Sequence, residues 1–255
     1  MILAVDIGNT NVTFGLYGND RLRFVSAVAT DRARTAEQYA VETSSIISLN
    51  NADAAQCSGA IISSVVPELT PAIKQAIKML TGANAMVIGP GIKTGLNIRI
   101  DNPAQLGADL AAGAVGALGK YETPCLVLDL GTATKISVLD AKGVYRGCTI
   151  AAGVRISLNA LSSMTSQLPA ISADGVINPI GTNTVESMQS GTLLGTAAML
   201  DGMCSRLEKA LGEKIKTVVA TGGSAPDIIK YCDTKIISDP TLILDGLKMI
   251  YDKNI

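Results

Sequence analysis

One pattern occurs twice in this chain, and a duplication of that kind limits the fold more than any single motif does. Met1-Ile-Leu-Ala-Val-Asp6-Ile-Gly8-Asn9-Thr10-Asn11 is an apolar β-type run ending in a carboxylate, a glycine and a cluster of small polar side chains. Leu126-Val-Leu-Asp129-Leu-Gly131-Thr132-Ala133-Thr134 repeats it in the second half. Each copy continues into two more strand-like runs around a tight turn. In the first these are Val12 to Tyr17, Gly18-Asn19-Asp20 and Leu22 to Val28; in the second, Lys135 to Leu139, Asp140-Ala-Lys-Gly143 and Val144 to Ile150. Each half therefore predicts three antiparallel strands opening a domain, with the Asp-x-Gly turn between the first two.

Such a turn suits phosphate chemistry. Gly8 lets the backbone bend tightly, so that the following N–H groups and the Asn9, Thr10 and Asn11 side chains can face a phosphate. Asp6 would then hold a hydrated Mg²⁺ rather than the phosphate itself, because two anions do not share a dry pocket without a cation between them. Taken alone, either copy also reads as an ordinary strand and polar hairpin. Two copies with matching hairpins favour the phosphate reading.

Further motifs follow in order: Ile61-Ile-Ser-Ser-Val-Val-Pro67, Gly89-Pro-Gly-Ile-Lys-Thr-Gly-Leu-Asn97, Asp101-Asn-Pro103, Gly107-Ala-Asp109, Thr221-Gly-Gly223 and Leu244-Asp-Gly-Leu247. The duplicated plan resembles the superfamily of acetate and sugar kinases, Hsp70 and actin, in which two such domains clamp a nucleotide between facing turns. The detailed wording resembles the type III pantothenate kinase family over nearly the whole chain. The resemblance implies an α/β fold of two duplicated actin/ribonuclease H-like domains, each a mixed sheet flanked by helices, over residues 1–119 and 120–255.

Composition bounds the partners. A chain of 255 residues that is 47% hydrophobic can supply two small cores and an oligomer interface. With 21 Lys and Arg against 22 Asp and Glu, nothing points to a nucleic-acid surface or a polybasic membrane patch. No apolar run approaches the ~20 residues of a membrane span, and the apolar start lacks the basic flank of a signal peptide, so a cytoplasmic protein is expected. Cys57, Cys125, Cys148, Cys204 and Cys232 are unclustered and odd in number, as expected of reduced and mostly buried thiols. There is no histidine, so proton transfer falls to a carboxylate, lysine, tyrosine or cysteine.

Between the two repeats, Thr35 opens a helix through about Ser48 whose Tyr39, Ile46, Ile47 and Leu49 are expected to face inward. Pro71 to Leu80 predicts a second helix, and Gly59 to Val66 and Met86 to Ile88 predict strands. Gly89 to Gly95 is glycine-rich but matches neither the P-loop nor the dinucleotide fingerprint, and reads as a structural connection. Asn102-Pro103 is a helix start, with the helix expected to run on through Leu118. Asp109, the one charged residue between Asn102 and Gly119, sits either at a solvent-facing edge or is held for chemistry. In the second half a helix is expected through about Thr165, Asn183 caps a helix reaching Leu211, and Thr221-Gly222-Gly223 closes a strand where backbone can approach an adenine or ribose. A final helix spans Leu242 to Asp252.

The resemblance assigns roles. It implies ATP as co-substrate, with Asp6, Gly8, Asn9, Thr10, Asn11, Gly131, Thr132, Ala133, Thr134, Gly222 and Gly223 binding nucleotide and phosphates. It makes Asp109 the base that activates a primary hydroxyl of pantothenate, with Gly107, Ala108 and Thr184 beside that acceptor; Thr184 also reads as part of a plain helix start. Metal roles fall to Asp6 for Mg²⁺ and Asp129 for a monovalent cation, K⁺ or NH4⁺. A homodimer with the acceptor pocket at its interface is implied. The chain departs from the family pattern at Ile100, Leu110, Lys135 and Ala152. Leu110 replaces an arginine, and Arg155 either supplies that lost charge or is a solvent-facing residue of a helix start. Lys135 offers an ammonium where relatives use a monovalent cation. A weakly active paralogue with a ligand-binding role and a kinase for another small hydroxyl acceptor are the alternatives.

Overall fold

In the computed structural model, which describes residues 1–174 and 177–255, the strands are β1 (Ile2–Ile7), β2 (Asn11–Gly18), β3 (Arg21–Ala29), β4 (Gly59–Ser64), β5 (Met86–Val87), β6 (Cys125–Leu130), β7 (Ala133–Leu139), β8 (Tyr145–Ala152), β9 (Thr217–Thr221) and β10 (Ile237–Ser238). The helices are α1 (Ala36–Leu49), α2 (Thr70–Thr81), α3 (Ala108–Lys120), α4 (Val154–Met164), α5 (Thr184–Leu211), α6 (Ala225–Ile229) and α7 (Leu242–Asp252). Two five-stranded sheets form, ordered β3-β2-β1-β4-β5 and β10-β9-β6-β7-β8. Each opens with the expected antiparallel meander and continues in parallel, so the second sheet repeats the topology of the first.

Strand alternation sorts the side chains. In the first sheet Leu3, Val5 and Ile7 face a core filled by Tyr39 and Ile47 of α1 and Ile73 and Ile77 of α2. Ala4 and Ile61 face the other way, onto Ala112 of α3 and Leu244, Leu247 and Ile250 of α7. In the second sheet Leu126, Leu128, Leu130 and Ile136 face a core shared with α4, α5 and α6.

Local signals set most of the helix ends. Thr35 and Gln38 form a reciprocal capping box at α1. Asn183 caps α5, its Oδ1 accepting the Glu186 N–H at 3.0 Å while its own Nδ2 donates to Glu186 Oε1 at 2.8 Å. The Gly89–Gly95 connection contains no helix or strand; the Asn254 side chain brackets Lys93, accepting its N–H at 3.0 Å and donating to its carbonyl at 2.9 Å.

Three expectations need correction. The helix expected from Asn102 is two pieces: Asn102 caps only a 3₁₀ turn, Pro103–Gln105, and α3 starts afresh at Ala108. Leu106 between them is extended, at φ −63° and ψ 123°, which breaks the helical path and leaves Asp109 in the first turn of α3. Leu49 is 82% exposed, because two residues beyond the buried Ile47 a helical side chain points to nearly the opposite side. Finally, the chain divides into units that do not follow a single cut near residue 120. One comprises Met1–Leu96, Asp101–Lys120 and Thr241–Ile255; the other comprises Asn97–Ile100 and Tyr121–Pro240. Helix α7 returns to the first unit because glycines let its backbone touch α3. A Cβ on Gly246 would lie 1.9 Å from the Ala112 carbonyl oxygen, and one on Gly116 would lie 2.3 Å from that of Leu242.

All five cysteines are free: Cys57, Cys125 and Cys204 are buried, Cys232 is half-buried and Cys148 is exposed. Burial pushes the Cys125 thiol up to about 12 and that of Cys204 up to about 11, so both remain protonated at neutral pH. No helix among the described residues is long and apolar enough to cross a membrane.

The α3–α7 contact yields a stability prediction of unusual sign. Alanine normally improves an exposed helix position over glycine by about 1 kcal/mol. Gly246→Ala is expected to reverse this, since the new methyl would be forced into the backbone of α3, an overpacking that costs about 1–3 kcal/mol. Chemical denaturation checks it: a net loss of stability is expected, and a gain would show that the two helices are not in backbone contact.

Candidate active site

The first Asp-x-Gly turn is closed by the Gly8 N–H donating to the Asn11 carbonyl at 2.9 Å. The fit here is close, since an added Cβ would lie 3.1 Å from that same oxygen. Two residues that sequence reading missed brace the turn. Thr30 donates its hydroxyl to the Gly8 carbonyl at 2.6 Å and its N–H to the Thr10 carbonyl at 2.9 Å. Arg32 donates to Asn9 Oδ1 at 3.0 Å and pairs with Glu68 at 2.9 Å. The available signal was register: Asn11 pairs with Ala29, so the chain leaving β3 must run beside the turn.

Asp6 is half-buried and lies in register with Thr13 of β2 and Ser63 of β4. It has the parity of Ala4, so it projects from the sheet face that α3 and α7 cover. Ser63 Oγ is fully buried and has no hydrogen-bond partner among the described residues. Asp109 is only 9% exposed in the first turn of α3, with its Oδ1 accepting the Leu110 N–H at 2.8 Å. Asp6 and Asp109 thus belong to the same side of the first sheet, and Asp109 is buried rather than solvent-facing. Gly107 and Ala108 form the approach to that turn, both half-buried.

The second turn is assembled from three glycine segments of the second unit. The Gly131 N–H donates to the Ala133 carbonyl and the Gly153 N–H to that of Thr132, both at 3.2 Å. A Cβ on Gly153 would lie 2.4 Å from the Thr132 oxygen and 2.5 Å from that of Gly131. Gly222, at φ +94°, packs so closely on Leu130 that a Cβ would fall 2.6 Å from its carbonyl carbon. The Thr221-Gly222-Gly223 turn therefore lies directly against the Asp129-Leu130-Gly131 segment, and Thr221 pairs with Asp129 in register. Thr134 is buried, Ala133 half-buried and Thr132 exposed. Asp129 Oδ2 receives an ion pair from Lys135 Nζ at 2.6 Å. Arg155 is exposed in the first turn of α4, two residues after Gly153, and Thr184 is exposed at the first residue of α5. The neighbouring Glu186 carboxyl is held below its usual range, chiefly by the Thr182 N–H.

Two sheets of one topology, each opening with an Asp-x-Gly hairpin, define the class: a duplicated actin-like fold shared with sugar kinases. Solved structures of that class align end to end. The ROK hexokinase of Thermus thermophilus is 14% identical with a TM-score of 0.55, over 99% of this chain and 98% of its own. Component A of the (R)-2-hydroxyglutaryl-CoA dehydratase of Acidaminococcus fermentans is 16% identical with a TM-score of 0.57, over 98% and 96%. At such identities these likenesses bear on the fold alone. The family profile for type III pantothenate kinase matches residues 2–206. Type III pantothenate kinases from an Exiguobacterium species and from Halalkalibacterium halodurans are 39% identical over 254 residues and 40% over 255, covering 100% of this chain and 99% and 100% of their own. The chain belongs to the type III pantothenate kinase family.

The bracing of the first turn is testable apart from any activity. Thr30→Val keeps the shape and removes the hydroxyl donor to Gly8, at an expected cost of about 1–2 kcal/mol in urea denaturation. An unchanged midpoint would mean the bond contributes nothing to holding the turn.

Proposed function

We propose that this chain transfers the γ-phosphate of ATP to the primary hydroxyl of pantothenate, giving 4′-phosphopantothenate at the start of coenzyme A synthesis. The observation that carries this reading is full-length identity of about 40% to proteins bearing that name, with no part of either chain left over. Phosphoryl transfer asks little covalent work of a protein and depends on positioning and charge neutralisation. The Gly8–Asn11 and Gly131–Thr134 turns supply backbone and side-chain donors for the phosphates, and Gly222 and Gly223 offer bare backbone to the nucleoside. Asp109 accepts the proton of the hydroxyl as it attacks; burial at the N-terminus of α3 keeps it out of bulk water. Mg²⁺, when bound, neutralises the phosphates. Asp6 fits it, since a half-buried carboxylate beside the Ser63 hydroxyl gives a hard-oxygen setting, and a hydrated Mg²⁺ needs only one or two protein carboxylates.

Gly107, Ala108 and Thr184 border the acceptor, and Arg155 pairs with its carboxylate in place of the arginine missing at Leu110. The exposure of Arg155 and Thr184 suits contact with a small polar molecule. The partner is a second copy of this chain, seated against α4 and α5. A cavity of about 380 Å³ there is lined by Ser157, Leu161, Met188, Gly191, Thr192 and Gly195, and Ile150, Ile156 and Met164 are exposed apolar side chains nearby. The protein works in the cytoplasm, where its thiols stay reduced.

Purified protein given ATP, Mg²⁺ and pantothenate should form 4′-phosphopantothenate by mass spectrometry; its absence would remove pantothenate as acceptor. In that assay Asp109→Asn, which keeps the shape but not the base, should lower kcat by about 10²–10⁴ with KM for ATP nearly unchanged. Near-normal turnover would assign the base elsewhere. Arg155→Ala should raise KM for pantothenate by about 10- to 100-fold, the worth of a charge-assisted hydrogen bond. An unchanged KM would return Arg155 to the solvent.

A further inference from the structure

The family resemblance implies a monovalent cation beside Asp129, and the residues present do not fit one. Lys135 Nζ lies 2.6 Å from Asp129 Oδ2, and the two side chains are only 16% and 14% exposed. Strand register builds this contact in. Asp129 and Lys135 are direct partners on β6 and β7, and both have the parity opposite to Leu128 and Ile136, so they project together from the sheet face away from that core. The internal repeat supplies the control, because the matching pair in the first unit is Asp6 with Thr13, a carboxylate facing a neutral hydroxyl. The second oxygen of Asp129 lies against the phosphate turn: an added Cβ on Gly131 would come 3.4 Å from Oδ1. One carboxylate therefore meets the ammonium with one oxygen and has the other close to the turn. A further bare cation placed beside it would meet like charge at short range.

We propose that the Lys135 ammonium takes the place of that ion. It neutralises Asp129 beside the Gly131–Thr134 turn and so removes a negative charge from where nucleotide phosphates arrive, so that nucleotide binding and turnover are independent of K⁺ and NH4⁺. Lys135 is on this account a positioning residue, and the inference rests on the kinase reading above.

Two measurements test it together, at constant ionic strength with tetramethylammonium replacing K⁺ or NH4⁺: pantothenate-dependent turnover, and calorimetric binding of a non-hydrolysable ATP analogue with Mg²⁺. Wild type should give the same values in all three salts. Lys135→Thr should bind the analogue about 10-fold or more weakly in tetramethylammonium. K⁺ or NH4⁺ should restore that binding, a rescue that a purely structural role for Lys135 would not show. Lys135→Arg, which keeps the charge, should remain cation-independent, and decides the matter with wild type if Lys135→Thr fails to fold. Wild-type binding that requires K⁺ would overturn the proposal, as would a Lys135→Thr defect that no cation reverses or no defect at all. Cation-independent binding of the analogue without phosphorylation of pantothenate would instead sink only the choice of acceptor.

Discussion

The chemistry of both units hangs on strand register. A strand side chain alternates faces with a period of two, so Asp6 shares its side with Ala4 only because β1 pairs as it does, Asp6 with Thr13 and with Ser63. A slip of one residue would drive the carboxylate into the core built by Leu3, Val5 and Ile7. That core holds the register in place, since every apolar side chain in it would have to leave for the slip to occur. The same logic fixes Asp129 opposite Leu128 and Leu130. Packing on one face thus aims the acids on the other.

Glycine does the complementary work of bringing backbones together. At Gly153 an added Cβ would collide with the turn that follows β6, at Gly222 with Leu130 at the end of β6, and at Gly116 and Gly246 across the α3–α7 contact. Each glycine in a regular element loses about 0.5–1 kcal/mol relative to alanine through backbone entropy. The loss is offset because close approach fixes the geometry of the segments that carry the acids. Helix α7 clamps α3, whose first turn carries Asp109, while Gly153 packs on Gly131 and Thr132 and Gly222 on Leu130. The glycines after β8 and β9 therefore pack against the end of β6 and the turn that follows it although they lie far from them in sequence.

What was legible in the sequence is what short range determines. The hairpins announced themselves by alternation and turn residues, and the caps at Thr35 and Asn183 by their own side chains. The motifs around Asp6 and Asp129 were legible because duplication made each a check on the other. Leu49 misled because apolar character was read without its angular position, and Asn102 because a cap signals the start of a turn without fixing its length. The membership of α7 was hidden, since nothing local in Leu242–Asp252 states which sheet it will cover. Thr30 and Arg32 were hidden as well: they reach the first turn only because β3 returns beside it, and a threonine and an arginine in a polar loop carry no mark of that.

The two turns have one backbone plan and unequal charge. In the first unit the Asp6 carboxylate has two hydroxyl residues, Thr13 and Ser63, beside it in register. In the second, the partner strand brings an ammonium, and the pair is more than four-fifths buried. Such a pair is poor evidence for stability, because desolvation of both ions offsets most of their attraction. A hydroxyl at position 135 would leave the sheet just as regular, so the lysine is better explained by what charge does to the turn than by what it does to the fold. Without Lys135 the Asp129 carboxylate would lose the cation that pairs with it beside the Gly131 turn. With Lys135 in contact the Asp129 carboxylate is charge-paired beside the Gly131 turn, so the two copies of one hairpin differ in charge: a carboxylate in register with a hydroxyl residue in the first, an ion pair in the second.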